Sequence, residues 1–337
     1  MLSQGHLVMI LVASVLVGWS SPAYAQERDS SALTPSIGRT VVANPKRATI
    51  ALALGGGGVR GAAHLGVLRV FQREGIPVDF IAGNSMGAVI GGMYAAGVSL
   101  DSLEQMFRDR SLFKAFTPVP VALKLMTVPP RALLRSVKHA IGMKTGLVGL
   151  YSTNKLADFV NERVSPNWQN IEETTIPFVA VATNLLDGKT YALDSGNIGK
   201  ALQASSAIPF YVKPIEYDGK LLVDGGLRAN VPTLQARQSE ADIVISVNVD
   251  ESLQQINQKS LRSVRRFGDL VISMMLAQLD EHQAENVDLE IRPSLVNIPL
   301  YSCKANDALK AMQAGEEAAI RALPKIRALM SSKLAAL

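Results

Sequence analysis

Residues 49–97 read TIALALGGGGVRGAAHLGVLRVFQREGIPVDFIAGNSMGAVIGGMYAAG, and this stretch decides the fold. Residues 49–54 (TIALAL) form an apolar, turn-bounded run of the kind that makes a buried parallel strand. Glycines follow at once, Gly55 to Gly58, then Val59-Arg60-Gly61. Residues 62–74 place Leu65, Leu68 and Phe71 at helical spacing and stop at Gly75, which suits a C-cap. Residues 78–82 make a second short strand, then Gly83-Asn84-Ser85-Met86-Gly87, then a small-residue helix over 88–96 closed by Gly97. Strand, turn, helix, strand, turn, helix describes a right-handed βαβ unit whose functional loops stand at the carboxyl ends of the strands.

Outward from this unit, residues 176–183 (IPFVAVAT) and 242–249 (DIVISVNV) read as further core strands. Residues 215–217 and 220–223 flank Asp218-Gly219, a hairpin signal whose second arm runs into Asp224-Gly225-Gly226. Helical patterns cover 261–283 and 307–337, with an edge strand at 287–292. No internal repeat or low-complexity tract interrupts the chain. The economical organisation is one α/β domain over 48–250, with a mainly helical extension over 251–337 packed on it. At the other end, residues 1–25 carry no Lys, Arg, Asp or Glu, and residues 7–18 form an apolar run with Ser14 its one polar residue. Pro22 and the small residues Ala23 and Ala25 complete the layout of a cleaved secretory signal. A run of twelve residues falls short of the roughly 20 that span a bilayer. A polar arm over 26–47 follows, and the expected destination is the periplasm or the exterior.

Composition narrows the function classes. With 337 residues, 48% hydrophobic and 19% charged, the chain is not a disordered one. The single Cys303 excludes an intramolecular disulfide framework and a multi-cysteine zinc site. Four histidines (His6, His64, His139, His282) leave little for a histidine-rich metal centre. The net charge of +5 names no partner by itself.

Two motifs carry chemistry. Gly83-x-Ser85-x-Gly87 between a strand and a helix is the pattern of a nucleophile elbow, where the sharp turn strains the serine and the glycines avoid clashes. Three readings exist for residues 55–61. A phosphate-binding P-loop fails, because Ala62 and Ala63 stand where Lys and Ser or Thr are needed. A dinucleotide fingerprint fits Gly56-x-Gly58-x-x-Gly61, but Asp79 lies at the start of the next strand, away from the end where a ribose would be held. An oxyanion hole of successive glycine N–H groups, with positive potential from Arg60, is the strongest reading beside the elbow serine. For the base that activates Ser85, His282 reads as a solvated surface residue, His139 sits in a basic amphipathic segment, and His64 reads as a packing or positioning residue. Asp224, ending an apolar strand before two glycines, is the better candidate, with a plain turn aspartate as the alternative.

Taken together, Gly56-Gly57-Gly58-Val59-Arg60-Gly61, Gly83-Asn84-Ser85-Met86-Gly87 and Asp224-Gly225-Gly226, in that order, resemble the motifs of the patatin-like phospholipases. The likeness covers roughly residues 48–250. It implies a three-layer α/β fold with a mainly parallel central sheet, a nucleophile elbow and a helical C-terminal tail. It also implies hydrolysis of a phospholipid or other acyl-ester lipid by a Ser85–Asp224 dyad, with Gly56, Gly57 and Gly58 as the oxyanion hole and no cofactor or metal. Arg60, Gly61, Gly83, Gly87, Gly225 and Gly226 support the motifs. Outside them, residues 107–144 carry Arg108, Arg110, Lys114, Lys124, Arg131, Arg135, Lys138 and Lys144 against one acid, Asp109. Leu112, Phe113 and Phe116 lie among them as exposed-looking apolar residues. Such a basic amphipathic segment suits peripheral contact with an anionic membrane through Lys124, Arg131, Arg135 and Lys138, or an ordinary surface helix. Nucleic acid is not an expected partner. The competing readings are a Ser-His-Asp carboxylesterase and a non-catalytic lipid-binding protein.

Overall fold

The computed structural model describes residues 37–116, 155–209, 212–250, 270–271, 273–278, 284–296 and 298–336. The leader, the first part of the polar arm, His139, His282, Lys124, Arg131, Arg135 and Lys138 lie outside these residues, as does most of the helical pattern over 261–283.

In chain order the regular elements are β1 (Ile50–Leu54), α1 (Ala63–Arg73), β2 (Phe80–Asn84), α2 (Met86–Ala95), α3 (Leu100–Arg108), α4 (Ser111–Phe116) and α5 (Lys155–Asn161). Next come β3 (Phe178–Asn184), β4 (Thr190–Leu193), α6 (Ile198–Ser205), β5 (Ile215–Tyr217) and β6 (Lys220–Asp224). The chain ends in α7 (Thr233–Gln238), β7 (Ile243–Val247), β8 (Leu289–Ile291) and α8 (Ala305–Ala336). One sheet runs β5-β6-β3-β2-β1-β7-β8, with β4 attached to β3. The strands from β3 through β8 in that order pair in parallel, while β4, β5 and β6 join antiparallel. Among the described residues no helix is long and apolar enough to cross a membrane.

Every residue of β1, β2, β3 and β7 is buried, so both faces of the parallel sheet are covered. The two faces differ in bulk. Ile50, Leu52 and Leu54 enter the large core beneath α1, α2 and α8, whereas Ala51 and Ala53 meet Val231 and Ala236 on the thinner side. The C-terminal helix α8 lies directly on α1. A Cβ on Gly66 would stand 2.0 Å from the Met312 carbonyl oxygen, and one on Gly315 would stand 2.0 Å from that of Ala63. Glycine at both crossing points lets the two backbones touch.

The structure departs from the sequence reading in specific places. β2 begins at Phe80 because the Asp79 carboxylate is already engaged, accepting from Arg47 at 2.6 Å and from the Ile50 N–H at 2.8 Å. That places Asp79 at the amino edge of the sheet, far from the glycine turn, and removes the dinucleotide reading. Leu112 and Phe113 are buried rather than exposed, with Phe113 edge-on to Phe107 at a centroid distance of 5.6 Å. The sequence reading has no counterpart of helices α3, α4, α5, α6 and α7 or of the short strand β4. For α6 the local signal exists, since the Asn197 side chain caps it by accepting from the Lys200 N–H at 3.0 Å.

Candidate active site

The sheet register brings Ser85 and Asp224 together. β4 runs along one edge of β3, opposite residues 180–183. On the other edge, β2 pairs with residues 178–181 and ends with Asn84 opposite Val181. There β6 takes over in the antiparallel sense, with Asp224 opposite Ala182. Two strands therefore meet end to end along one edge of β3. The elbow leaves β2 where the carboxylate leaves β6.

Ser85 occupies φ 52°, ψ −121°, a conformation non-glycine residues rarely adopt, at a cost of roughly 1–3 kcal/mol. The flanking glycines make the turn possible. A Cβ on Gly83 would lie 2.5 Å from the Ala88 Cα, and one on Gly87 would lie 2.2 Å from the Leu54 carbonyl oxygen. The turn is held from outside the motif: the Ser85 N–H donates to Ser205 Oγ at 3.0 Å, and Ser205 Oγ donates to the Val181 carbonyl at 2.6 Å. Helix α2 starts at the next residue, so its N-terminal dipole faces the serine.

Asp224 is buried, and burial lifts its carboxyl from 3.8 to about 6. The nearby Ser85 hydroxyl, the Gly226 N–H and the Asn84 side chain act in the opposite direction. The Gly226 bond is 2.8 Å long. A buried carboxylate of raised pKa beside a strained serine can accept that serine's proton without a histidine between them. His64, the second residue of α1, is fully buried with Nε2 2.8 Å from the Gly55 carbonyl oxygen. Burial lowers its pKa to about 4, so it is neutral and donates to that carbonyl. It supports the glycine turn.

The glycine turn is sorted by its partners. The Gly55 N–H donates to the Val247 carbonyl and the Gly56 N–H to that of Asn230, each at 3.1 Å. Gly56 therefore drops out as an oxyanion donor. Its role is space, since a Cβ there would lie 2.8 Å from both Asn230 Oδ1 and Asn84 Nδ2. Gly58 has φ 52°, and a Cβ would stand 2.3 Å from the Leu300 carbonyl oxygen. Gly61 makes room for Met86, whose Cγ would be 2.4 Å from a Cβ there. Arg60 is buried, its Nε donating to the Ile298 carbonyl at 2.7 Å, and the Val59 N–H donates to Leu300 at 3.2 Å. The arginine thus anchors the 298–300 segment against the turn.

Three residues of this arrangement escape motif reading. Asn84 Nδ2 donates to the Asn230 carbonyl at 3.2 Å, and Asn230 Nδ2 donates to Asp250 at 2.8 Å. With Ser205, this asparagine pair ties the glycine turn, the elbow and the Asp224 loop into one polar cluster. Gly225 must be glycine for the same reason, as a Cβ would lie 2.6 Å from Asn84 Oδ1 and from the Val181 carbonyl oxygen. Among the described residues no three His, Cys, Asp or Glu side chains gather as metal ligands.

Comparison with known proteins gives a family match and several relatives. A family model described as patatin-like phospholipase matches residues 52–237. An uncharacterized NTE family protein of Mycobacterium tuberculosis is 36% identical over 203 residues, 60% of this chain and 49% of that protein. Patatin-like phospholipase domain-containing protein 6 of Homo sapiens is 32% identical over 203 residues, 60% of this chain and 13% of that protein. The chain thus spans half or less of the length of these relatives. Among solved structures, VipD from Legionella pneumophila aligns over 84% of this chain and 70% of its own, at 16% identity and a TM-score of 0.37.

Proposed function

Since the chain belongs to the patatin-like phospholipase family, we propose that it hydrolyses acyl-ester lipids through Ser85 and Asp224. Ser85 Oγ attacks the acyl carbonyl carbon while its proton passes to the Asp224 carboxylate. The carbonyl oxygen takes up the negative charge, facing the N–H groups of Gly57 and Gly58 and the start of α2. Collapse of the tetrahedral intermediate returns the proton from Asp224 to the leaving alcohol and leaves an acyl-Ser85 ester. Water, giving a proton to Asp224, then attacks that ester; collapse passes the proton to the departing Ser85 Oγ and releases the fatty acid.

The observation that carries this reading is the strand register that brings strained Ser85 beside a buried carboxylate whose pKa is raised to about 6. A base of that strength is ionised at neutral pH and still accepts a proton in the transition state. The apolar run over 7–18 and the Ala23 and Ala25 pair support export of the chain.

The test is fatty-acid release from mixed phospholipid micelles by the full chain, with Ser85→Ala and Asp224→Asn beside it. Loss of release in both variants, by roughly 10³-fold or more, is the expected result. Wild-type rates in both would end the assignment, and so would a wild-type protein that a fluorophosphonate probe fails to label.

A further inference from the structure

The carboxyl edge of the sheet carries more exposed apolar surface than the chemistry requires. Leu185 and Leu186 open the turn between β3 and β4, 46% and 68% exposed, and Leu227 follows the Asp224 strand by three residues at 47%. The turn is held rigidly outward: the Leu185 N–H donates to the Leu221 carbonyl at 2.8 Å and the Leu186 N–H to Asn184 Oδ1 at 3.2 Å. Arg228 lies against it, its guanidinium 3.3 Å from where a Cβ on Gly188 would stand. On the opposite side of the elbow, Val296 and Tyr301 are exposed at the two ends of the segment whose Ile298 and Leu300 carbonyls clasp the glycine turn.

Five large apolar side chains thus stand on three segments at the carboxyl edge of the sheet, near Ser85 and Asp224. Single exposed apolar residues are ordinary, and Ile320 on α8 is one of them. Their gathering on the segments that carry the Asp224 turn and clasp the glycine turn is not. Lys189, Arg228 and Lys304, all exposed, sit beside these residues, with Asp187 the acid in the same turn.

We propose that Leu185, Leu186 and Leu227, faced by Val296 and Tyr301, form an apolar rim that seats the active-site opening on an anionic lipid bilayer. The leucines enter the acyl boundary and the neighbouring cations meet the headgroup charge, the combination that holds interfacial proteins on membranes. Seated so, an acyl ester reaches Ser85 without crossing bulk water. The orientation rests on the hydrolase reading above; the docking itself does not need catalysis.

The experiment uses the full chain carrying Ser85→Ala, so that vesicles are bound and not consumed. Co-sedimentation with phosphatidylglycerol–phosphatidylcholine vesicles is compared with pure phosphatidylcholine. Binding to the anionic vesicles that weakens with salt is expected, and Leu186→Asp with Leu227→Asp lowers it by about tenfold or more, while Ile320→Asp leaves it unchanged. A milder pair, Leu186→Ser with Leu227→Ser, covers the case in which the aspartates impair folding, which a thermal melt reads. In addition, Leu186→Trp emission is quenched by brominated lipid and Ile320→Trp emission is not. Absence of vesicle binding, rim variants that bind like the parent, or an equal loss with Ile320→Asp overturns the proposal. If Ser85→Ala docks through the rim but the wild-type chain releases no acyl group, the hydrolase reading fails and the docking stands. The reverse pattern, release with rim-independent binding, spares the hydrolase and ends the rim.

Discussion

Asp224→Asn separates stability from activity. In the folded chain the Asp224 carboxyl titrates near 6 instead of 3.8, chiefly because burial disfavours its charge. At about 1.4 kcal/mol per pH unit, holding the ionised form in the fold costs about 3 kcal/mol once the pH exceeds 6. Below the unfolded value both states bind the proton and the cost vanishes. The sign is therefore that native stability from this group falls as pH rises from 3.8 towards 6 and stays low above it. Asparagine carries no charge and keeps an acceptor for the Gly226 N–H. The variant is expected to be more stable than wild type by about 3 kcal/mol at pH 8 and by about half of that at pH 5. Urea unfolding of both proteins at both values reads the difference, and effects common to both cancel. On a soluble ester the same ionisation makes wild-type kcat/KM fall with unit slope below about pH 6. A stability gap independent of pH, or an acid limb centred near 4, would refute the account of a desolvated base.

Other consequences follow from the same packing. His64 is held neutral with a pKa near 4, below its unfolded 6.5, so stability is lost as pH falls through that window. His64→Gln keeps a donor for the Gly55 carbonyl and should flatten the unfolding midpoint between pH 6.5 and 4, removing a loss of about 3 kcal/mol. Ser205→Ala strips the partners from the Ser85 N–H and the Val181 carbonyl. It should cost about 2 kcal/mol in denaturant unfolding and lower kcat with KM retained. Gly315→Leu pushes a side chain into the Ala63 carbonyl, 2.0 Å from its first carbon, and should destabilise the chain by about 3 kcal/mol or more. Limited proteolysis would then cut α8 first; unchanged resistance would contradict the close crossing of α1 and α8.

Much of the central unit was legible because its signals are local. An apolar run, a glycine turn and a periodic helix each act within a few residues, and β1, α1, β2 and α2 stand where the pattern puts them. Glycines at 83 and 87 report a turn that no side chain fits, which is why the elbow could be read from five letters. Failures occurred where distant partners decide. Leu112 and Phe113 sit among charged residues in sequence, yet Phe107 and the core cover them. Strand β4 has only four residues and three of them are half-buried, so its alternation is too short to read. Gly56 looked equivalent to Gly57 and Gly58 until the Asn230 carbonyl was seen to take its N–H.

By itself the amino-acid sequence determined the elbow, the glycine turn and the order in which the three motifs arrive. Backbone sterics and apolar periodicity act over one or two turns of chain, and those the residue types dictate. Only the tertiary structure decided that Ser85 and Asp224 stand side by side. Their meeting depends on β2 and β6 sharing one edge of β3, with Asn84 opposite Val181 and Asp224 opposite Ala182. Pairing register between distant strands is a property of the assembled sheet, as is the burial that raises the Asp224 carboxyl to about 6. A carboxylate in water would be a turn residue; in this sheet it is buried beside the elbow serine with its pKa raised.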